Sequence, residues 1–128
     1  MIEILTSPDH VVALKLSGTL SGEDYDKIVA ELEARLDRHE QIGVLVDLVG
    51  FKDFTFEAGA KDLQYGLRNL WHLKRFPREA VITDKEWVRA LARIGDPIIP
   101  HVEVRTFEPG EGEMAMSWVS DILGGASA

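Results

Sequence analysis

Apolar and polar residues alternate along Met1 to Thr6 and again along His10 to Ser17, placing Ile2 and Ile4, then Val12, Leu14 and Leu16, on one side. Alternation with a period of two is the mark of a strand with two unlike faces. Pro8-Asp9 between the two runs supplies turn chemistry, so the pair predicts an antiparallel hairpin. After Ser21 the spacing lengthens to three and four, through Tyr25, Ile28, Val29, Leu32 and Leu36, which predicts an amphipathic helix to about His39. Ser21 stands where a hydroxyl caps the first turn, and Glu23, Asp26, Lys27, Glu31 and Arg35 form the solvated back. Ile42-Gly43-Val44-Leu45-Val46-Asp47-Leu48 is short, β-branched and almost unbroken, as expected of a central parallel strand covered on both faces.

The stretch from Gln41 to Arg75 organises the rest. Val49 to Phe56 reads as a loop exposing Phe51, Phe54 and Phe56 around two charges. Thr55 and Glu57 then suit a helix start, the first as a cap and the second as a partner for the helix dipole. That helix is expected to run to Lys74-Arg75 with Leu63, Leu67, Leu70, Trp71 and Lys74 on one side. Gly59 and Gly66 weaken it by very roughly 1 kcal/mol each relative to alanine, making it the best candidate for a mobile element. Pro77 ends the connection, and Ala80-Val81-Ile82-Thr83 predicts a second buried strand. Asp84 is placed to cap a helix with Trp87, Val88, Leu91 and Ile94 on its apolar side, ending at Gly95-Asp96-Pro97. Ile98-Ile99-Pro100 is apolar where a loop should be polar. Val102, Val104 and Thr106 alternate with Glu103 and Arg105 as an edge strand, Glu108 to Glu113 is an acidic turn, and Ala115, Trp118, Val119 and Ile122 mark a final helix closed by Gly124-Gly125. The order is β-β-α-β-α-β-α-β-α, an α/β domain with helices packed on a mostly parallel sheet.

At 128 residues and 45% hydrophobic content the chain fits one globular domain spanning 1–128. With no cysteine it has no disulfide framework, thiolate metal site or cysteine nucleophile, and it fits a reducing compartment. Met1 leads directly into Ile2-Glu3-Ile4-Leu5, without a signal-like start or a run long enough to span a bilayer, so a cytoplasmic location is expected. A formal charge of −8 argues against nucleic acid as a partner, because such binding rests on neutralising phosphates. The charge is uneven. Arg68, Lys74, Arg75, Arg78, Lys85, Arg89 and Arg93 face only Glu79, Asp84 and Glu86 over the same span, a basic island of net +4 that also holds Trp71, Phe76 and Trp87. Bases among exposed aromatics suit an anionic membrane surface or an acidic partner. The plainer alternative makes the tryptophans core and the bases the solvated backs of helices.

The element order and several strings resemble the SpoIIAA-like family, relatives of the STAS domain of sulfate transporters and anti-sigma-factor antagonists. The likeness covers nearly the whole chain and rests on Val46-Asp47-Leu48 with Gly50-Phe51, on Arg78-Glu79-Ala80-Val81-Ile82-Thr83-Asp84-Lys85-Glu86-Trp87, on Val104-Arg105-Thr106-Phe107, and on Ala115 with Trp118. It implies a five-stranded mixed, mostly parallel sheet with flanking helices, kinship with the lipid-carrying CRAL-TRIO fold, and binding of a hydrophobic ligand or membrane surface by movable helices. It also removes a function. The antagonists carry a phosphorylatable serine at the start of the helix after the third strand, whereas this chain reads Thr55-Phe56-Glu57-Ala58 there. A phosphoswitch of that type is not expected.

Enzyme chemistry is thin. Asp47 and Asp84 fall at carboxyl ends of expected parallel strands, where open α/β sheets place ligands, and Asp53 lies near. A receiver-like magnesium pocket would need paired acids after the first strand, and Thr6-Ser7-Pro8 offers none, so these carboxylates read as caps and solvated groups. His10, His39, His72 and His101 lack ligand spacing, and no G-x-S-x-G or H-E-x-x-H is present. Gly110 and Gly112 sit among Glu108, Glu111 and Glu113, which would repel a phosphate. No metal or cofactor is expected.

Two functional readings follow. In the first, a non-enzymatic binding protein holds a lipid or other apolar small molecule beneath movable helices 57–75 and 85–95, in a pocket lined by Phe54, Phe56, Leu63, Leu67, Trp71, Trp87, Leu91 and Ile98. Arg75, Arg78, Arg89 and Arg93 would meet an anionic headgroup or an acidic partner, which would seat the protein at the periphery of the inner membrane. In the second, a STAS-like interaction or regulatory module uses the same face to dock a protein partner or a second copy as a homodimer.

Overall fold

The computed structural model describes residues 1–95 and 101–122, apart from the side chains of Trp71, Ile94 and Gly95. Strand β1 (Ile2–Ile4) pairs antiparallel with β2 (Val11–Leu16), as the alternating pattern predicts. After the short β3 (Gly18–Leu20) comes α1 (Gly22–Leu36), held at its start by a capping box. The Asp24 amide donates to Ser21 Oγ and the Ser21 amide to the Asp24 carboxylate, at 3.1 and 3.0 Å. Then follow β4 (Gly43–Asp47), β5 (Phe51–Phe54), α2 (Phe56–Arg68), a 3-10 turn over Leu70–Arg75, β6 (Arg78–Ile82), α3 (Glu86–Gly95), β7 (Glu103–Phe107) and α4 (Gly112–Ser120). The main sheet has five strands in the order β1-β2-β4-β6-β7, parallel except at β1.

Each central strand divides its side chains between two cores. On one side Val12, Leu14 and Val44 pack with Tyr25, Ile28, Leu32 and Leu36 of α1. On the other, Val11, Ala13, Leu45, Ala80 and Ile82 pack with Phe107 and with Ala115 and Val119 of α4. The second side closes tightly. A Cβ on Gly43 would lie 2.4 Å from the Val119 carbonyl oxygen, so the missing side chain is what lets α4 approach.

Three expectations change. The span after β4 is not a loop exposing three phenylalanines, because β5 pairs in parallel with β3 as a separate two-stranded sheet and Phe51 is buried. Neither three- nor four-residue strand carries enough pattern to announce a partner more than thirty residues away. The helix expected to reach Arg75 ends at Arg68, where the Asn69 amide and side chain both bond the Tyr65 carbonyl, and the chain tightens into the 3-10 turn. The third change is in which way the helices face. Leu63, Leu67 and Leu70 of the α2 region and Trp87 and Leu91 of α3 point outward, and Val88 is buried in their place on α3. Expectations for Asp96-Pro97, Ile98-Ile99-Pro100 and Gly124-Gly125 lie outside the described residues.

Candidate functional site

The site follows from the sequence of α2, Phe-Glu-Ala-Gly-Ala-Lys-Asp-Leu-Gln-Tyr-Gly-Leu-Arg. Thr55 sets its start, with Oγ1 accepting from the Ala58 amide at 3.1 Å. One face carries Phe56, Leu63 and Leu67, and these are 92%, 65% and 62% exposed. The opposite face carries Ala58, Gly59, Asp62, Tyr65, Gly66 and, just beyond the helix, Asn69, all of which border the space above the sheet, Ala58 and Tyr65 buried and Asp62 and Gly66 still open to solvent. The usual orientation of an amphipathic helix is therefore reversed. Small and polar residues cannot fill the space above the sheet, so α2 packs chiefly against α1 and leaves a cavity of about 590 Å³ beneath it.

The cavity floor is the sheet, with Leu14 and Leu16 of β2, Val44 and Val46 of β4, and Glu79 and Val81 of β6. Tyr25, Ile28 and Leu32 of α1 form one wall, and Leu20, Phe51 and Phe54 close the end nearest the small sheet. Phe54 lies on Gly59, whose Cβ position would be 2.9 Å from the ring, and stacks on Phe51 with ring centres 6.5 Å apart. A mostly apolar cleft of this volume with a few polar groups has the proportions of a small-molecule site.

Those polar groups converge. The Tyr25 hydroxyl donates to Asp62 Oδ1 at 2.6 Å, bridging α1 to α2. Burial, then the Asp62 carboxylate, raises the Tyr25 pKa. The Tyr65 hydroxyl is buried without a hydrogen-bond partner, and burial with the nearby Glu33 carboxylate pushes it up to about 12. Glu79 is the strongest anomaly. It occupies an interior strand, in register with Val44 on one side and Val104 on the other, and alternation turns it toward the cavity while Ala80 and Ile82 enter the opposite core. Its carboxyl makes no hydrogen bond or ion pair among the described residues. Burial, with a smaller contribution from Asp62, raises its pKa.

Of the residues expected to line the pocket, Phe54 does so. Phe56, Leu63 and Leu67 lie on the outer face of α2, and Trp87 and Leu91 lie exposed on α3, away from the cavity lining. Ile98 and the Trp71 side chain fall outside the described residues. The four arginines are held at three places, with Arg89 and Arg93 sharing one. Arg75 donates to the carbonyls of Leu36, His39 and Glu40 at 2.7, 3.0 and 2.9 Å, closing the C-terminal end of α1. Arg78 donates to the Trp118 carbonyl at 2.8 Å and lies 4.9 Å from the Trp118 ring centre. Arg89 reaches the Thr83 carbonyl and Glu108, and both Arg89 and Arg93 pair with Glu86. Asp47 caps the turn after its strand by accepting from the Val49 amide, and Asp53 accepts from the Thr19 hydroxyl.

Sequence reasoning placed Tyr25 in the α1 stripe and missed Tyr65, Asp62 and Glu79. The available signal was an acid one place before the apolar run Ala80-Val81-Ile82, in phase with Val81. No group of three or more metal-ligating side chains occurs among the described residues, and none of their helices is long and apolar enough to cross a membrane.

The fold has a known counterpart. The crystal structure, at 2.25 Å resolution, of an uncharacterised protein with a SpoIIAA-like fold from Shewanella loihica PV-4 is similar to this chain at 30% identity with a TM-score of 0.71, over 93% of this chain and 92% of that one. No curated protein matches the chain. The SpoIIAA-like family model matches residues 11–120, nearly the whole of the described fold. The chain belongs to the SpoIIAA-like family.

Proposed function

We propose that this protein is a non-enzymatic binding protein that takes an apolar small molecule into the cavity beneath α2. The observation that carries this reading is the reversal of α2: it turns small and polar residues inward, at the expense of leucines left in water, and so keeps about 590 Å³ open above the sheet. Burying the leucines would gain about 25 cal/mol per Å² of apolar surface, so the fold forgoes packing where the space opens. Among the described residues at the cavity no serine, threonine, cysteine or lysine stands beside a base, which supports binding over turnover.

Native mass spectrometry of the purified protein and of Gly66→Phe tests it. A Cβ at Gly66 meets open space, so the ring would occupy the cavity without displacing backbone. The expected result is an apolar adduct on the wild-type chain, or on the chain incubated with octanol, that is absent from the folded variant. Equal adducts on both, or none on either, would overturn the reading.

A second reading has its own support. The fold fits a protein-interaction or regulatory module, and the exposed row Phe56, Leu63, Leu67 and Leu70 is a surface of the kind that docks a partner, a second copy or a membrane. Anionic vesicle sedimentation and the oligomeric state of Leu63→Glu separate these from the cavity, which that substitution leaves intact.

A further inference from the structure

Resting on the cavity reading above, we infer that the molecule held there is an apolar amine: a hydrocarbon body with a protonated nitrogen that pairs with Glu79. Three observations select this class. The Glu79 carboxyl faces the cavity from the interior strand β6 with no hydrogen bond or ion pair among the described residues. Asp62 adds a second carboxylate from α2, and the Tyr25 hydroxyl that it engages fixes its position. Among the described residues lining the cavity there is no Lys, Arg or His.

The last point excludes the more familiar apolar cargo. A fatty acid or phospholipid would place an anion near the Asp62 carboxylate with no cation among the described lining residues to meet it, and would oppose ionisation of Glu79 where an ammonium favours it. Arg68 lies 5.5 Å from the Tyr65 ring centre and Arg75 also acts on the Tyr65 hydroxyl, but neither lines the cavity, and Arg75 is bound to the Leu36, His39 and Glu40 carbonyls. A neutral alcohol could enter and would leave Glu79 without an ionic partner. An ammonium group donates to Glu79, and Asp62 supplies a second carboxylate to the same charge.

The inference also predicts a proton. Burial and Asp62 favour the neutral acid at Glu79 in the empty cavity, while a bound ammonium, protonated at neutral pH as lysine is, favours the carboxylate. Binding should then release a proton from Glu79, seen as a calorimetric heat that varies with the ionisation enthalpy of the buffer.

Octylamine, octanol and octanoate of one chain length make the test, titrated into the wild-type protein and Glu79→Gln near pH 6, a pH at which the alkylamine is fully charged. The expected order is octylamine over octanol by about tenfold or more, octanoate weakest, with proton release for the amine alone. Glu79→Gln should lose the amine preference and the proton release while keeping its octanol affinity. Octanol binding with no amine preference, or an amine preference unchanged in Glu79→Gln, overturns the amine inference and leaves the cavity reading standing. Failure of all three probes to bind overturns both.

Discussion

Glu79 carries more of this account than any other residue, and its behaviour can be stated without reference to a ligand. A carboxyl that is harder to ionise in the fold than in the unfolded chain keeps its proton longer when folded. Above the unfolded value, near 4.5, the unfolded state therefore binds fewer protons than the native one, and stability falls as pH rises toward the raised native value. Glu79→Gln removes that ionisation. Its chemical stability in urea should match or fall slightly below wild type at pH 4 and exceed it at pH 7, by on the order of 1 kcal/mol. A variant uniformly less stable at both pH values would mean that Glu79 has a native partner. The residue was legible as an acid in phase with Val81, but a single acid beside an apolar run is ordinarily the strand's edge. Only the strand order, which puts β7 outside β6, reveals that the position is interior. The arginines were misjudged for a related reason. Arg75 and Arg78 counted as surface charge in the sequence, yet their guanidinium groups are spent on carbonyls of α1 and α4, bonds that composition does not encode.

At the scale of elements, α2 separates what pattern can tell from what it cannot. Its period, its Thr55 cap and its two faces were all readable, and the structure bears them out up to Arg68. Which face turns inward was not readable, because a hydrophobic stripe normally buries itself and nothing local marks the exception. The glycine bordering the cavity offers a clean check. Gly66 sits within the helix with open space at its Cβ position, so Gly66→Ala removes backbone freedom from the unfolded chain without a clash. The expected gain is about 0.5–1 kcal/mol, read as a rise in melting temperature. A loss would show that the helix is packed against something at that point, and that the cavity is smaller than described. The small sheet of β3 and β5 was missed altogether, and its cause is different again. Its pairing is non-local and its strands are short, so the information lies in the topology of the domain and not in either segment.

For the whole molecule, the sheet has one filled side and one hollow side. On the filled side α4 sits close enough to require a glycine at position 43, and Ala13, Ala80, Ala115 and Val119 are fully buried in the core between it and the sheet. On the hollow side α1 is anchored by Tyr25, Ile28 and Leu32 while α2 spans the space and binds back to α1 through Asp62 and Tyr25. The alternation of strands and helices along the chain was legible from periodicity and length, apart from the small sheet, while the order of strands within the main sheet was not. The cavity was anticipated in kind but assigned to the wrong lining, because exposed and enclosed apolar residues look alike in a sequence. The most direct test of where a ligand goes is therefore spatial: backbone amide shifts in the isotopically labelled protein during titration with octanol. Binding in the cavity predicts saturable shifts centred on Ala58, Tyr65, Val44 and Val81, with Trp87 and Leu91 unmoved. Shifts confined to Trp87, Leu91 and the outer residues Leu63 and Leu67, or no saturable shifts at all, would contradict it.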